Sequence, residues 1–350
     1  MGRFGVVRIG VACAGLVALA ACQSTETKTA AHATPNAKAA AASAELTRKA
    51  NAAAAAKVRA NELGKIPVIM YHRITDKPGG TDDRTPAQFR TELERLASEK
   101  YVPITAAEYV TGKIAIPAGT HPVVLTFDDS SPSQLTLDEM GTPKADTAVG
   151  ILLDVAKKHP GFRPVATFYV IRDMFGKFSP EERAQVLGWL SQNGFDIGNH
   201  TRDHLNLLGK SEKEVTEQIA AGQKLITDLD KKVQVHTLAL PYGNQPRDKK
   251  WALHGSGNGV RYDYQGVFLA GYTPAPSPFT KEFDPVGIPR IRSMDKKGDC
   301  VKFCSTAWLD ELNAHPDERF TSDGNVATVA YPKFKAPFVD KNFAAIALPY

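Results

Sequence analysis

The sequence predicts an α/β protein, one parallel barrel of the (β/α) kind over residues 65–350. Three observations lead there. From Ile66 onward, short β-rich runs alternate with segments of helical pattern, the order that builds a parallel sheet with crossover helices. Several of those runs, such as Val123-Val124-Leu125, are continuously apolar, as strands covered on both faces must be. Three segments also open with capping-box chemistry: Thr85 before Gln88, Ser179 before Glu182 and Ser211 before Glu214. A length of about 280 residues favours one barrel over two open sheets.

Ahead of the barrel, Arg3 and Arg8 precede an apolar run from Ile9 to Ala21 that ends at Cys22. This is the layout of a secretory signal peptide, too short for a spanning helix, which needs roughly 20 apolar residues. Leu19-Ala20-Ala21-Cys22 resembles the lipobox of bacterial lipoproteins, where cleavage precedes the Cys and the Cys takes the lipid. The resemblance implies a leader over 1–22 and an extracytoplasmic protein, lipid-anchored to a bacterial membrane through Cys22. Residues 23–64 hold 16 Ala in 42 positions and almost no large apolar residue, which reads as a tether. Its second half, 44–63, has helical propensity but little to pack with.

Within the barrel the expected strands are Pro67 to His72, Pro122 to Phe127, Val165 to Ile171, Phe195 to Ile197, Val233 to Leu240 and Gly266 to Ala270. The helix faces agree, with Phe89, Leu93 and Leu96 on one side of one segment, and Val215, Ile219, Ile226 and Leu229 on one side of another. Trp251 to Tyr264, with Gly255, Gly257 and Gly259, reads as a mobile loop. Of the net charge of +5, the leader takes +2 and residues 23–64 take +3, so the barrel is neutral. A nucleic-acid binder concentrates positive charge on its folded domain, so nucleic acid is excluded as a partner. Once Cys13 leaves with the leader and Cys22 takes a lipid, Cys300 and Cys304 remain. Outside the cytoplasm two such thiols most often pair, and C-x-x-x-C alone is a weak zinc signal.

The chemistry-bearing residues sit just past two expected strands. Pro122 to Phe127 ends in Asp128-Asp129, and Phe195 to Ile197 leads through Gly198-Asn199 to His200-Thr201-Arg202-Asp203-His204. Adjacent acids at a strand end often only shape a turn. Their side chains point apart, however, so one can bind a metal while the other acts as a base toward water. Imidazoles four residues apart share one side of a helical turn and can reach one ion. Thr201 stands where the zincin signature needs Glu, so a metalloprotease is excluded. Asp129, His200 and His204 together would give the three protein ligands of a catalytic zinc site.

Thr126-Phe127-Asp128-Asp129, His200-Thr201-Arg202-Asp203-His204 and Leu240-Pro241-Tyr242-Gly243 resemble, in order and approximate spacing, three motifs of the polysaccharide deacetylases, carbohydrate esterase family 4 with its NodB homology domain. The resemblance runs from about Pro67 to Ser293. It implies a distorted (β/α) barrel and a metal-dependent hydrolase that removes N-acetyl groups from N-acetylglucosamine units of an extracellular or cell-wall polysaccharide. By that resemblance Asp129, His200 and His204 hold the metal, Zn2+ by default with Co2+ or Ni2+ also accommodated, Asp128 is the general base, and the Tyr242 N–H helps stabilise the oxyanion.

Two departures matter. The family's late Leu-x-His motif, which carries the acid, is missing, while Val68-Ile69-Met70-Tyr71-His72-Arg73-Ile74 is similar to the opening of the circularly permuted branch that includes poly-N-acetylglucosamine deacetylases. There the acid histidine comes from the first strand, which makes His72 the expected acid. Ala239 stands where many members carry an Arg that orients the base, and Arg290, in Ile288-Pro289-Arg290-Ile291-Arg292, is the expected substitute. Two other readings use the same residues: O-deacetylation of another polysaccharide, and a non-catalytic glycan-binding envelope lipoprotein.

Overall fold

The computed structural model describes residues 35–350, with side chains from residue 39. The expected leader over 1–22, with Cys13 and Cys22, and the first part of the tether lie outside the described residues. The chain divides into two units at Leu46/Thr47. In the first, the described residues belong to helix α1 (Pro35–Lys57), built from Ala, Lys and Glu of high helix propensity. No helix among the described residues is long and apolar enough to cross a membrane.

The second unit, Thr47–Tyr350, begins within the expected tether. Ala55 and Ala60 are fully buried against Ala330 and Leu348, and the Asn61 and Glu62 N–H groups bond the Thr321 and Ala330 carbonyls. Residues 55–64 are therefore part of the packed body, because small Ala side chains let the helix end approach a neighbouring strand closely. In chain order there follow β1 (Val68–Tyr71), α2 (Pro86–Ser98), β2 (Tyr101–Ile104), α3 (Ala106–Val110), β3 (His121–Phe127), α4 (Ala148–Lys158), β4 (Thr167–Val170), α5 (Pro180–Gln192), β5 (Asp196–Asn199), α6 (Glu212–Leu229) and β6 (Thr237–Ala239). The remainder comprises α7 (Lys250–Leu253), β7 (His254–Gly257), β8 (Val260–Asp263), β9 (Gly266–Phe268), β10 (Ile291–Arg292), α8 (Cys300–Phe303), α9 (Ser305–Ala314), β11 (Val329–Tyr331) and β12 (Ala347–Pro349).

An eight-stranded parallel sheet runs in the order β10-β1-β3-β4-β5-β6-β9, with β2 added beside β3. It curls until its two edges nearly meet: Phe268 bridges Ile288 and Tyr272 bridges Ile291 across the seam, which makes the distorted (β/α) barrel. All three expected capping boxes close, on α2, α5 and α6, and a fourth, Thr105 with Glu108, opens α3. Strands β1, β3 and β4 are buried along their whole length. Parallel pairing puts all their carboxyl ends, and the loops that follow them, on one face.

Three local expectations are corrected. Trp251 to Tyr264 is an ordered helical turn plus the antiparallel hairpin β7–β8, packed against α6. Val233 to Leu240 is strand only at Thr237–Ala239. His200 to His204 is not helical, for reasons given below. Cys300 and Cys304 are joined by a disulfide.

Candidate active site

Strand β3 delivers Asp128 to the barrel rim, where its N–H bonds the Tyr71 carbonyl of β1 at 2.9 Å. Its carboxylate is 2% exposed and meets the Arg290 guanidinium in a two-pronged pair, Nη1 to Oδ1 and Nη2 to Oδ2, each 2.7 Å. Arg290 is itself 1% exposed and fixed on every side. Its Nε donates to the Leu269 carbonyl at 2.7 Å, Nη1 also donates to Thr126 Oγ1 at 3.2 Å, and the guanidinium lies 5.6 Å from the Tyr169 ring centroid. Burial pushes the Asp128 carboxyl up, but the Arg290 charge, then His200, outweighs it and holds the group well below the usual carboxylate range.

The turn after β3 is tightly specified. Asp129 (φ 71°) and Ser130 (φ 46°) are consecutive left-handed residues, a conformation that costs a non-glycine residue of order 1–3 kcal/mol and persists where the surroundings impose it. Here Phe175 N–H bonds the Ser130 carbonyl at 2.7 Å, and Gln134 Nε2 bridges the carbonyls of Asp128 and His72 at 2.5 and 2.8 Å. The result leaves Asp129 Oδ1 3.4 Å from His200 Nε2 and 3.4 Å from His204 Nε2.

The two histidines reach that point from a loop. Asn199 takes the Thr201 N–H on its Oδ1 at 2.8 Å and donates from Nδ2 to the Ile219 carbonyl at 2.8 Å and to Tyr264 Oη at 2.7 Å. These side-chain bonds replace the helical ladder, and the chain turns through left-handed Thr201 (φ 62°) and His204 (φ 52°). The rings still converge, with centroids 4.9 Å apart. His200 is buried, and its Nδ1 sits 2.8 Å from the Ala239 carbonyl, which as acceptor fixes the tautomer leaving Nε2 as a bare lone pair.

Asp129 Oδ1 is buried with no hydrogen-bond partner, and it lies with the two Nε2 atoms inside a cluster no more than 4.8 Å across. Ligands at about 2.1 Å around a tetrahedral ion stand about 3.4 Å apart. One oxygen and two imidazole nitrogens at that spacing fit a divalent cation, and a divalent cation of the zinc type suits the donor set.

His72 extends β1 beside Asp128, because Tyr71 pairs with Phe127 in the ladder. It is half-buried, and its Nδ1 is buried without a partner. Tyr242 is left-handed (φ 60°), and its ring centroid lies 4.8 Å from that of His204. Six of the seven expected site residues thus stand at the carboxyl-end face of the sheet, and Arg290, just ahead of β10, reaches it with its guanidinium. Gln134 and Asn199, which tie the turns together, were not anticipated as site residues: neither carries a sequence signal beyond its place in a loop or just before His200.

A family model described as polysaccharide deacetylase matches residues 115–258. The chain carries a polysaccharide deacetylase domain. The matched stretch of the deacetylase domain holds Asp128, Asp129, His200, His204 and Tyr242, while His72 and Arg290 lie outside it. Among solved structures, the chain is similar to the Streptococcus pyogenes deacetylase PplD in complex with acetate (18% identity, 68% of this chain and 96% of that one, TM-score 0.49). It is similar also to BC0361, a polysaccharide deacetylase from Bacillus cereus (20% identity, 65% and 64%, TM-score 0.48), and to IcaB from Ammonifex degensii (19% identity, 68% and 95%, TM-score 0.47). The match thus spans just under two thirds of BC0361. No curated protein matches.

Proposed function

We propose that this deacetylase domain is a metal-dependent hydrolase that removes N-acetyl groups from N-acetylglucosamine units of an extracellular or cell-wall polysaccharide. One observation carries the reading: a partnerless buried carboxylate oxygen equidistant from two imidazole nitrogens, beside a second carboxylate clamped by a buried arginine.

Asp129, His200 and His204 would hold the ion, which supplies Lewis acidity toward the amide carbonyl and acidifies water. Asp128 accepts the proton of the attacking water on its carboxylate, and Arg290 keeps that carboxylate ionised and in one orientation. The Tyr242 N–H donates to the developing oxyanion. An amine leaves poorly unless protonated, and His72, across the ladder from Asp128, donates that proton. The buried Arg290 also supplies the base-orienting cation that Ala239 lacks, which weakens the non-catalytic reading.

The likeness of the His72 segment to the permuted branch favours poly-N-acetylglucosamine as substrate, with peptidoglycan and chitin-like oligomers as the alternatives. The lipobox-like Leu19 to Cys22 supports an extracytoplasmic protein lipid-anchored at Cys22. The test is acetate release from the three polymers with and without a chelator. Chelator-sensitive release from at least one is expected, and release from none, with zinc restored, removes the proposal.

A further inference from the structure

The chain leaves the sheet at Tyr71, the last residue of β1, and His72 stands just beyond the ladder. Its own side chain does not anchor it, because Nδ1 is buried without a partner. Further on, the Arg73 carbonyl and the Thr75 N–H both pair with Arg84. All three of those residues lie in the one segment between β1 and α2, so the bonds shape that segment without fixing it against the site. Among the described residues, two hydrogen bonds tie positions 72–74 to another segment, and both come from the turn after β3. Gln134 Nε2 donates to the His72 carbonyl at 2.8 Å, and Ser133 Oγ accepts the Ile74 N–H at 3.1 Å.

Gln134 has a second grip. The same Nε2 donates its other hydrogen to the Asp128 carbonyl at 2.5 Å, so one planar amide spans the backbones of the residue that gives a proton and the residue that takes one. Its Oε1 is buried with no donor, which costs about 1–3 kcal/mol. Packing alone does not account for an amide here, since Met or Leu would fill the same fully buried space without that penalty. The turn is also anchored independently of this side chain: the Ser133 and Gln134 carbonyls accept the Ala148 and Val149 N–H groups at the start of α4, each at 3.0 Å.

We propose that Gln134, assisted by Ser133, is a positioning residue that holds His72 at the distance from Asp128 at which an amine leaving group is protonated. The inference rests on the deacetylase reading and deepens it. Asp128 has its own clamp in Arg290, so loss of the Gln134 amide falls mainly on His72. A misplacement of about 1 Å can cost a reaction about 10²-fold. That loss is confined to substrates whose leaving group needs a proton. An amine does, whereas 4-nitrophenolate leaves without one, so the Gln134 bridge favours amide over activated ester.

The test compares full-length, zinc-loaded wild type, His72→Gln, Gln134→Met and Ser133→Ala. Acetate release from whichever of the three polymers is deacetylated fastest is divided by hydrolysis of 4-nitrophenyl acetate. The amide-to-ester ratio should fall tenfold or more in Gln134→Met and by less in Ser133→Ala, in the direction set by His72→Gln, with zinc per chain unchanged. In spectra of 15N-histidine-labelled protein, the His72 ring signal, identified by its loss in His72→Gln, should shift in Gln134→Met while the His200 and His204 signals stay. Should Gln134→Met fold poorly, Ser133→Ala must still show both effects at smaller size. A ratio unmoved in folded Gln134→Met while His72→Gln lowers it, or an unmoved His72 signal, would overturn the positioning role alone. Wild type that releases no acetate from any polymer overturns the deacetylase reading instead, and the ring signal then decides whether Gln134 places His72.

Discussion

Replacing Arg290 by Met keeps the bulk of the side chain but strips Asp128 of two charge-assisted hydrogen bonds in a place water does not reach. Removing one partner of a buried ion pair costs about 3–5 kcal/mol, because the other charge stays behind uncompensated. The Leu269 carbonyl and Thr126 Oγ1 lose a donor as well, so the upper part of that range is expected. Urea unfolding read by tryptophan fluorescence measures it. Turnover should fall by about 10²–10⁴, the usual worth of a positioned general base, since Asp128 would be both less ionised and less constrained. Arg290→Lys keeps the charge but cannot make the two-pronged contact, and should recover part of the stability and little of the rate. If Arg290→Met unfolds at the wild-type urea midpoint and releases acetate at the wild-type rate, Arg290 has no part in holding the base.

Asp129→Asn and His204→Ala should each lower bound metal per chain, measured by elemental analysis after dialysis, and abolish acetate release without moving the melting temperature by more than a few degrees. Gly222→Ala should destabilise by about 1–3 kcal/mol although Ala is the better helix former, because its Cβ would fall 2.2 Å from Asn199 Oδ1 and 3.0 Å from the Thr201 carbonyl carbon. An equal or higher melting temperature would show that the histidine loop yields easily. Burial, then the nearby Asp323 charge, raises the Glu62 carboxyl to about 8. Between the unfolded value of about 4.5 and that value the folded state holds a proton the unfolded chain has lost, so stability falls with rising pH by about 1.4 kcal/mol per unit and levels off above it. Glu62→Gln should flatten that slope, and parallel stability–pH curves for the two proteins would refute the assignment.

What the sequence could reveal depended on whether the deciding interaction was local. Capping boxes involve residues three apart and were readable, as were apolar runs such as Val123 to Leu125. Strand β2 was overlooked because Pro103 breaks its pattern, and proline is at home there because β2 pairs only with β3. The glycines of β7 read as a loop, yet Gly257 is where the hairpin meets α6, since a Cβ there would lie 2.7 Å from Glu217 Cα. The helical reading of His200 to His204 failed on bonds from Asn199 to Ile219 and Tyr264, which no window of neighbouring residues contains. Arg290 was found only through likeness to the permuted branch, as 162 positions separate it from the carboxylate it grips.

That separation bears on how the molecule can be divided. A fragment cut to the matched stretch, 115–258, would contain the acids and imidazoles while losing both β1 and β10, the strands that carry His72 and Arg290 at their ends. In such a piece Asp128 would lose the Arg290 guanidinium, the main charge that offsets its burial, and the sheet would have a raw edge at β3. Shortened versions made for crystallisation or screening should therefore retain Thr47 through Tyr350, since β11 and β12 pack against Ala55 and Ala60, and an inert fragment would say nothing about the whole protein.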